Sequence, residues 1–307
     1  MNIVIPGGAG HLGQELRRHF EARGDDVTVL SRSGAVRWDG KSQGDWVSTF
    51  EGADVVINLA GRSVNCRYSK KNLDEMMASR VDSTRAVGLA IAKCKNPPKL
   101  WIQSSTATIY AHRFDAPNDD RTGIIGSETD GMPKKWLASV EIAKAWEAAM
   151  NESITSATRT VAIRSAMVMS PVTGSIFDVL CTLTRRGLMG TQGDGRQYVS
   201  WIHESDFSRA IDWIIDHDEL SGPVNMSSPN PLPQREFAAA LRQALGIKIG
   251  LPAMAWMLEI GAFAMGSETE LLLKSRRVIP SRLLEMGFEF VYPYWDIAAK
   301  DLAGKMG

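Results

Sequence analysis

Residues 2–13, NIVIPGGAGHLG, decide the fold of this chain of 307 residues. The apolar first half, Asn2–Pro6, predicts a buried strand that ends in glycines. Gly7, Gly10 and Gly13 then follow at intervals of three. Such spacing suits a tight turn, a backbone that can approach a pyrophosphate, and a helix that packs closely on the strand. The stretch therefore predicts a dinucleotide-binding strand, turn and helix.

The segment after the glycines predicts a helix over Leu12–Arg23. Leu12, Leu16 and Phe20 recur at helical spacing, and Gly24 stops the pattern. The amino end of such a helix presents free N–H groups and a positive dipole end, which attract phosphate. We expect cofactor contacts in this segment at Gly7, Gly10, His11, Leu12 and Gly13.

Strand and helix patterns alternate as far as about residue 170. Further strands are predicted at Val27–Leu30, Val55–Ala60, Leu100–Ser104 and Val161–Met169, with helices at Ser69–Cys94 and Pro133–Met150. This alternation favours right-handed crossovers and a parallel sheet covered on both faces. The predicted fold class is therefore α/β, a Rossmann-type doubly wound parallel sheet in residues 1–170.

The pattern changes in residues 171–307, which we interpret as a smaller, mostly helical substrate lobe. It contains a predicted strand at Val224–Met226, which can join the sheet of the first domain, and helices near Asp206–Asp216, Gln234–Leu245 and Ala253–Met265. Further helical structure is expected around residues 234–300.

Composition narrows the class of partner. The chain has 35 Lys and Arg residues and 35 Asp and Glu residues, so its net charge is zero. It therefore lacks the excess of positive charge that is typical of proteins that bind nucleic acid or an anionic membrane. The apolar run from Ile249 to Met265 is shorter than the roughly 20 residues that span a bilayer. Three widely spaced cysteines form no metal-binding motif, and the amino terminus does not have the pattern of a signal peptide. We expect a cytoplasmic protein with a small-molecule substrate and no metal, nucleic acid or membrane partner.

The end of the second strand indicates which dinucleotide binds. An NAD site usually carries an acid about 20 residues after the glycines, on the ribose 2′-hydroxyl. Here the chain reads Ser31-Arg32 instead, and an arginine fork suits a 2′-phosphate. We therefore predict NADP(H), with NADPH favoured over NADH. A solvated surface role for Arg32 is the alternative, and Arg37 is a second candidate for the same task.

Several motifs resemble a known family. Asn58-Leu59-Ala60-Gly61 and residues 104–110, SSTATIY, are similar to the extended short-chain dehydrogenases/reductases, which include nucleotide-sugar epimerases and dehydratases. Residues 193–203, GDGRQYVSWIH, and 277–280, RVIP, resemble the atypical branch called "epimerase family protein", which has its own carboxy-terminal domain of unknown function. The resemblance covers essentially the whole chain. Pro6 departs from it, because the family usually has threonine there.

This resemblance implies further site residues. Cofactor contacts are expected from Leu59, Ala60, Gly61, Ser104 and Ser105. Substrate contacts are expected from Tyr110, Arg196, Tyr198 and Trp201. A core position for Tyr110 and a surface loop position for Arg196 are the open alternatives.

The usual catalytic dyad of this family, a tyrosine followed four residues later by a lysine, is missing. The residues four positions after Tyr68, Tyr110, Tyr198, Tyr292 and Tyr294 are Asn72, Phe114, Ile202, Asp296 and Ala298. An alignment on residues 146–149 puts Ser139 and Ala143 at the two dyad positions. A tyrosine of ordinary pKa, near 10, is a poor base without such a lysine.

Three residues are left as catalytic candidates. Thr106 matches the position of the hydroxyl that polarises the substrate carbonyl in the family. The alternative is a hydroxyl whose hydrogen bonds are formed within the turn. Lys144 can reach a ribose if the helix is rotated, or is solvated. His203 can titrate near neutrality, or stands at a helix entry.

Two functions follow from these residues. The first is an NADP(H)-dependent oxidoreductase or epimerase-like enzyme that acts on a carbonyl or hydroxyl of a small polar metabolite. The second is a non-catalytic protein that holds NADP(H) as a sensor or partner-binding module. The missing dyad favours the second function, and the glycine loop is compatible with both.

Overall fold

The computed structural model describes residues 1–153, 157–264 and 266–306. Its strands are β1 (Asn2–Pro6), β2 (Asp26–Ser31), β3 (Val36–Arg37), β4 (Val55–Asn58), β5 (Leu100–Thr106), β6 (Arg159–Ser165), β7 (Met167–Met169), β8 (Tyr198–Val199), β9 (Trp201–His203), β10 (Gly222–Met226) and β11 (Leu232–Pro233). Its helices are α1 (His11–Arg23), α2 (Lys70–Lys93), α3 (Lys134–Glu152), α4 (Ile176–Arg185), α5 (Glu204–Asp216), α6 (Gln234–Ala244), α7 (Ala255–Ala264), α8 (Glu270–Leu273), α9 (Ser281–Glu285) and α10 (Trp295–Lys305).

Seven strands form one sheet in the order β10-β6-β5-β4-β1-β2-β3, and every neighbouring pair is parallel. The predicted fold class is confirmed. The strand order reverses between β1 and β4, so their carboxyl ends open the crevice in which doubly wound sheets bind ligands. The late strand β10 lies at the edge of this sheet beside β6.

Apolar side chains cover both faces of the sheet. On one face, Leu16 and Phe20 of α1 and Phe207 of α5 pack over residues such as Ile5 and Ile57. On the other face, residues of α2 and α3 pack over Val4, Val56 and Trp101. Because successive strand residues point to opposite faces, these central strands are apolar throughout and buried on both sides.

One predicted strand is wrong in its extent. The sequence predicts a single strand over Val161–Met169, and the structure breaks it at Ala166 into β6 and β7. Ala166 N donates to Met226 O at 3.0 Å, at the end of the sheet. The chain then leaves the sheet, and β7 pairs with β9 instead. A continuous apolar run does not reveal such a change of partner.

The carboxy-terminal region has a core of its own, in which Phe237 stacks on Trp295 with ring centroids 4.2 Å apart. Helix α7 covers most of the predicted Ala253–Met265 helix, whose last residue lies outside the described residues. Among the residues that the structure describes, no helix is long and apolar enough to cross a membrane.

Candidate functional site

The glycine loop between β1 and α1 is held by close backbone approaches. Gly7 has φ +77°, and a Cβ there would lie 2.6 Å from the backbone of Ala60. A Cβ on Gly13 would lie 2.3 Å from Cα of Gly8. Gly7 is therefore needed where the loop after β4 crosses it, and Gly13 where α1 packs on the loop.

Gly10 has a different reason to be glycine. A Cβ there would approach no closer than 4.0 Å to another protein atom, the carbonyl of Gly7. Gly10 also precedes α1 without giving it a side-chain cap, so no capping side chain occupies the first amides of the helix, at His11, Leu12 and Gly13. The open space above Gly10 is where a pyrophosphate can approach.

Pro6 does not disturb this loop. Leu59 N donates to Pro6 O, and Gly7 N donates to Leu30 O, both at 2.9 Å. The strand therefore keeps its hydrogen bonds on both sides of the proline.

A cleft of about 790 Å³ opens beside the loop, and we call it the cofactor cleft. Its walls include Gly7, Gly10, Ser31, Arg32, Leu59, Ala60 and Gly61, all of which the sequence predicts as cofactor contacts. The side chain of Asn58 shapes the second wall, since its Oδ1 accepts from Ala60 N at 3.1 Å and its Nδ2 donates to the buried Gln103.

Ser31 and Arg32 end β2 at one rim of this cleft. The Ser31 hydroxyl accepts from Gly34 N at 2.8 Å, which ties the turn after β2. Arg32 is exposed and has no carboxylate partner within the described ranges. Its guanidinium is therefore available to an anionic group of a ligand.

The predicted hydroxyl groups at the end of β5 lie on two opposite sides of the strand. Ser104 and Thr106 are half-buried, and Ser105 between them is 3% exposed. The Thr106 hydroxyl accepts from Thr108 N at 3.2 Å, which matches the turn alternative and leaves its proton for a ligand oxygen.

The expected cofactor contact at Ser105 is corrected by its hydrogen bonds. Ser105 donates to Glu147 at 2.6 Å, and Glu147 forms a two-bond ion pair with Arg164, at 2.8 and 2.7 Å. Strand alternation turns Ser105 toward α3, away from the side on which Thr106 lies. Its hydroxyl belongs to a buried network.

Tyr110 ends in the same network, so the expected substrate contact at this residue is also corrected. It is 1% exposed, its hydroxyl donates to Asn225 at 2.8 Å, and it accepts from Arg164 at 2.9 Å. Burial raises the pKa of this phenol. The structure therefore gives Tyr110 the core position that the sequence left open.

His203 is corrected as a catalytic candidate, and the role of Lys144 stays a prediction. Lys144 is exposed and pairs with Glu141 on its own helix at 2.9 Å. His203 is fully buried, where Nδ1 accepts from Ser205 N at the start of α5 and Nε2 lies 3.0 Å from Asp301. Its imidazole also stacks on Tyr292. A helix cap and a carboxylate use both ring nitrogens, so His203 has none for a substrate.

The three remaining substrate candidates are placed differently from one another. Trp201 is fully buried against Trp295 and is a core residue, which corrects its predicted role. Tyr198 is half-buried, with the Arg277 guanidinium 4.4 Å from its ring centroid. Arg196 is exposed on its loop. The substrate roles of Tyr198 and Arg196 stay predictions.

A charged cluster that the sequence did not predict stands at the first dyad position. The Ser139 hydroxyl donates to Glu270 Oε1 at 2.6 Å, and the Tyr68 hydroxyl donates to Glu270 Oε2 at 2.9 Å. Lys274 Nζ and Arg276 Nη2 lie 3.5 and 3.6 Å from the same carboxylate. Glu270 and Lys274 have fully buried side chains. We call Tyr68, Ser139, Glu270, Lys274 and Arg276 the Glu270 cluster.

The cluster links the carboxy-terminal region to the end of β5. Lys274 donates to Thr108 O at 2.7 Å, and Arg276 Nε donates to the Thr108 hydroxyl at 3.2 Å. Burial and the Glu270 carboxylate raise the pKa of the Tyr68 phenol, so it stays protonated at neutral pH. The dyad spacing does not point to Tyr68, and the available signal in the sequence was the group of two acids and two bases in residues 268–276, ETELLLKSR.

Comparisons with known proteins identify the family. A family described as "NAD dependent epimerase/dehydratase family" matches residues 3–226, and a "Domain of unknown function (DUF1731)" matches residues 255–302. Among similar proteins, epimerase family protein YfhF of Bacillus subtilis (strain 168) is 29% identical, with 98% of each chain covered. Human epimerase family protein SDR39U1 is 28% identical, over 98% of this chain and 99% of the human one.

Solved structures are similar over the whole chain. A crystal structure of human SDR39U1 (isoform 2) with NADPH has a TM-score of 0.87 and 26% identity, with 99% of both chains covered. UDP-N-acetylglucosamine 4-epimerase from Bacillus cereus has a TM-score of 0.75 at 18% identity, over 99% of this chain and 98% of the other, and shares the fold.

Proposed function

The chain belongs to the NAD dependent epimerase/dehydratase family, and on that premise we propose that it is an NADP(H)-dependent oxidoreductase or epimerase-like enzyme. The proposed substrate is a small polar metabolite with a carbonyl or hydroxyl group, and nucleotide sugars are the first class to test. The observation that carries the proposal is Arg32, an unpaired guanidinium at the rim of a cleft whose glycine loop is open above Gly10. The NADPH bound to the human relative supports the choice of cofactor.

A titration of NADPH and NADH tests this choice. We expect the protein to prefer NADPH, and Arg32→Glu to reduce that preference at least tenfold, or about 1.4 kcal/mol, because a carboxylate repels the 2′-phosphate. Arg37→Glu tests the second candidate, an exposed arginine on the neighbouring strand β3, and a change of the ratio in that variant alone would assign the 2′-phosphate to Arg37. An unchanged NADPH/NADH ratio in Arg32→Glu would refute the assignment.

The residues around the cleft fit this cofactor, which when bound supplies hydride chemistry. The glycine loop and the first turn of α1 orient the diphosphate, and Arg32 binds the 2′-phosphate. The proton of the Thr106 hydroxyl is placed to bind a substrate oxygen, because the same hydroxyl already accepts from Thr108 N. We propose Tyr68 as the proton donor, whose single hydroxyl proton, accepted by Glu270 Oε2 in this structure, would turn to the substrate oxygen.

The raised pKa of Tyr68 decides whether this residue acts as an acid or as a base. A phenol with a raised pKa is a weak acid that gives its proton only to a strong base such as an alkoxide, and at neutral pH it has no deprotonated form that could act as a base toward an alcohol. Hydride exchange between NADPH and a panel of ketoses and nucleotide sugars tests the reaction. We expect Tyr68→Phe to slow exchange and the control Tyr294→Phe, at an exposed tyrosine just before α10, to leave the exchange rate unchanged. Equal rates for Tyr68→Phe and the unmodified protein would remove Tyr68 from the mechanism.

A second function, a protein that holds NADP(H) without turnover, is favoured by the Glu270 cluster itself. Ser139 and the fully buried Ala143 stand at the positions of the dyad, and the acceptors of the single Ser139 proton are protein oxygens, Glu270 Oε1 at 2.6 Å and Trp136 O at 2.8 Å. Tight NADPH binding without exchange across the panel would support this alternative. For either function we propose a cytoplasmic location and a small molecule as the partner, on the basis of the neutral surface charge and the free thiols.

A further inference from the structure

Arg80 of α2 is a buried cation whose charge no carboxylate balances. Its side chain is 8% exposed, and its one hydrogen bond runs from Nη1 to Met76 O, 3.1 Å away on the same helix. No ion pair of Arg80 occurs within residues 1–153, 157–264 and 266–306. The ionisable groups that act on it are Tyr68 and Cys66, and neither is a carboxylate.

Burying such an unbalanced charge destabilises the folded state. Removing a charge from water costs several kcal/mol unless an opposite charge or good hydrogen bonds replace the water. Burial lowers the pKa of Arg80 to about 10, which leaves the guanidinium charged at neutral pH. Part of the cost is offset by the indole of Trp146 on α3, whose ring centroid lies 4.9 Å from the guanidinium carbon.

The position of Arg80 relates this charge to the cofactor cleft. Gly61 lines the cleft, and a Cβ on Gly61 would meet the guanidinium carbon at 3.5 Å and Nε at 3.7 Å. Ser79, the preceding residue of α2, lines the cleft as well. Nε and Nη2 of Arg80 have no hydrogen-bond partner in the described part of the chain, and both nitrogens keep some contact with solvent.

We propose that Arg80 binds an oxyanion, a phosphate or a carboxylate, of a ligand that enters the cofactor cleft past Gly61. The planar guanidinium has two donors free for such a group and is held from behind by Met76 and Trp146. The oxyanion has two possible sources, the diphosphate of the cofactor and an acidic group of the substrate. The inference rests on the proposed function, because it takes the cleft to be the ligand site.

The test uses Arg80→Gln, which removes the charge and keeps an N–H donor, and Arg80→Met, which removes every donor and keeps an unbranched apolar stem. Arg85→Gln is the control, since Arg85 is an exposed arginine of the same helix that pairs with Glu152. Calorimetric titrations measure NADPH binding to each full-length variant, and inorganic phosphate binding both to the free protein and to the protein saturated with NADPH.

A loss of NADPH affinity of at least tenfold in both Arg80 variants, with Arg85→Gln unchanged, supports the proposal and assigns the oxyanion to the cofactor. Unchanged NADPH affinity with loss of phosphate binding to the NADPH-saturated protein supports it and assigns the oxyanion to the substrate. If neither NADPH nor phosphate binding changes in Arg80→Gln, the proposal is overturned and Arg80 is a packing residue. Failure of the unmodified protein to bind NADPH would refute the proposed function separately, because phosphate binding to the free protein still reports on Arg80.

Discussion

Gly10 and Gly13 stand three residues apart in one loop, yet the same substitution should have opposite effects at the two positions. Gly10 has φ −76° and ψ 172°, a conformation that alanine adopts readily, and no protein atom lies closer than 4.0 Å to the added Cβ. Gly13→Ala places a Cβ 2.3 to 2.5 Å from three backbone atoms of Gly8, which cannot rotate away as a side chain can.

The magnitudes follow from these distances. Gly10→Ala should leave the ligand-free protein as stable as before or more stable by about 0.4–1 kcal/mol, because alanine restricts the unfolded chain. In the complex its methyl group blocks the phosphate, which loses charge-assisted hydrogen bonds worth about 1.5–3 kcal/mol, or roughly 10- to 100-fold in Kd. Gly13→Ala should cost about 3 kcal/mol or more of folding free energy, at the upper end of overpacking.

Two assays separate the effects. Thermal unfolding without ligand should show an unchanged or slightly raised Tm for Gly10→Ala and a Tm lowered by several degrees for Gly13→Ala. Titration with NADPH should show weak binding to Gly10→Ala despite its intact fold. NADPH binding to Gly10→Ala with the affinity of the unmodified protein would refute the assignment of the space above Gly10 to the diphosphate.

Three further predictions concern buried charges. Arg164→Met should lower the free energy of unfolding by about 3–5 kcal/mol, because it strands the Glu147 carboxylate, and adding Glu147→Leu should recover much of that loss in urea denaturation. Glu270→Gln should cost a similar amount, whereas Glu259→Gln, which breaks an exposed pair with Lys135, should cost less than about 1 kcal/mol; equal losses would contradict the burial argument. Burial lowers the pKa of His203 below its ordinary 6.5. As the pH falls, the histidine of the unfolded chain is therefore protonated before that of the folded protein. The free energy of unfolding should decrease as the pH drops below about 6.5 and through the pKa of the folded state. His203→Asn retains a helix cap without this titration, and an equally steep pH profile in that variant would exclude the histidine as the cause.

The predictable part of this site is the part encoded locally. Gly7, Gly10 and Gly13 specify a strand, a turn and a helix within a dozen residues, and Ser31 and Arg32 follow at the end of the next strand. The parallel pairing of β1 with β2 and β4 brings Arg32 and Gly61 to the same crevice, as crossover rules imply. Cofactor chemistry was therefore accessible from the sequence because each piece depends on neighbours along the chain.

Side-chain direction was not accessible in the same way. Ser105 and Thr106 are adjacent in a motif, but a period of two sends them to opposite sides of β5, and hydrogen bonds to Glu147 then take Ser105 into the core. His203 ends the motif of residues 193–203, in which substrate contacts were predicted, and its side chain caps the start of α5. Which face a residue presents depends on the partners packed against it.

By itself, the sequence determined that the chain has a Rossmann-type sheet with a dinucleotide turn and that it lacks the tyrosine–lysine dyad. The tertiary structure alone decided what occupies the dyad's place. Ser139 lies 131 residues before Glu270, and Tyr68 lies 202 residues before it. The hydroxyl groups of both residues nevertheless donate to the Glu270 carboxylate. Contacts at such separations leave no periodicity or spacing in the chain, because they exist only after α8 has folded back onto α3 and the loop after β4.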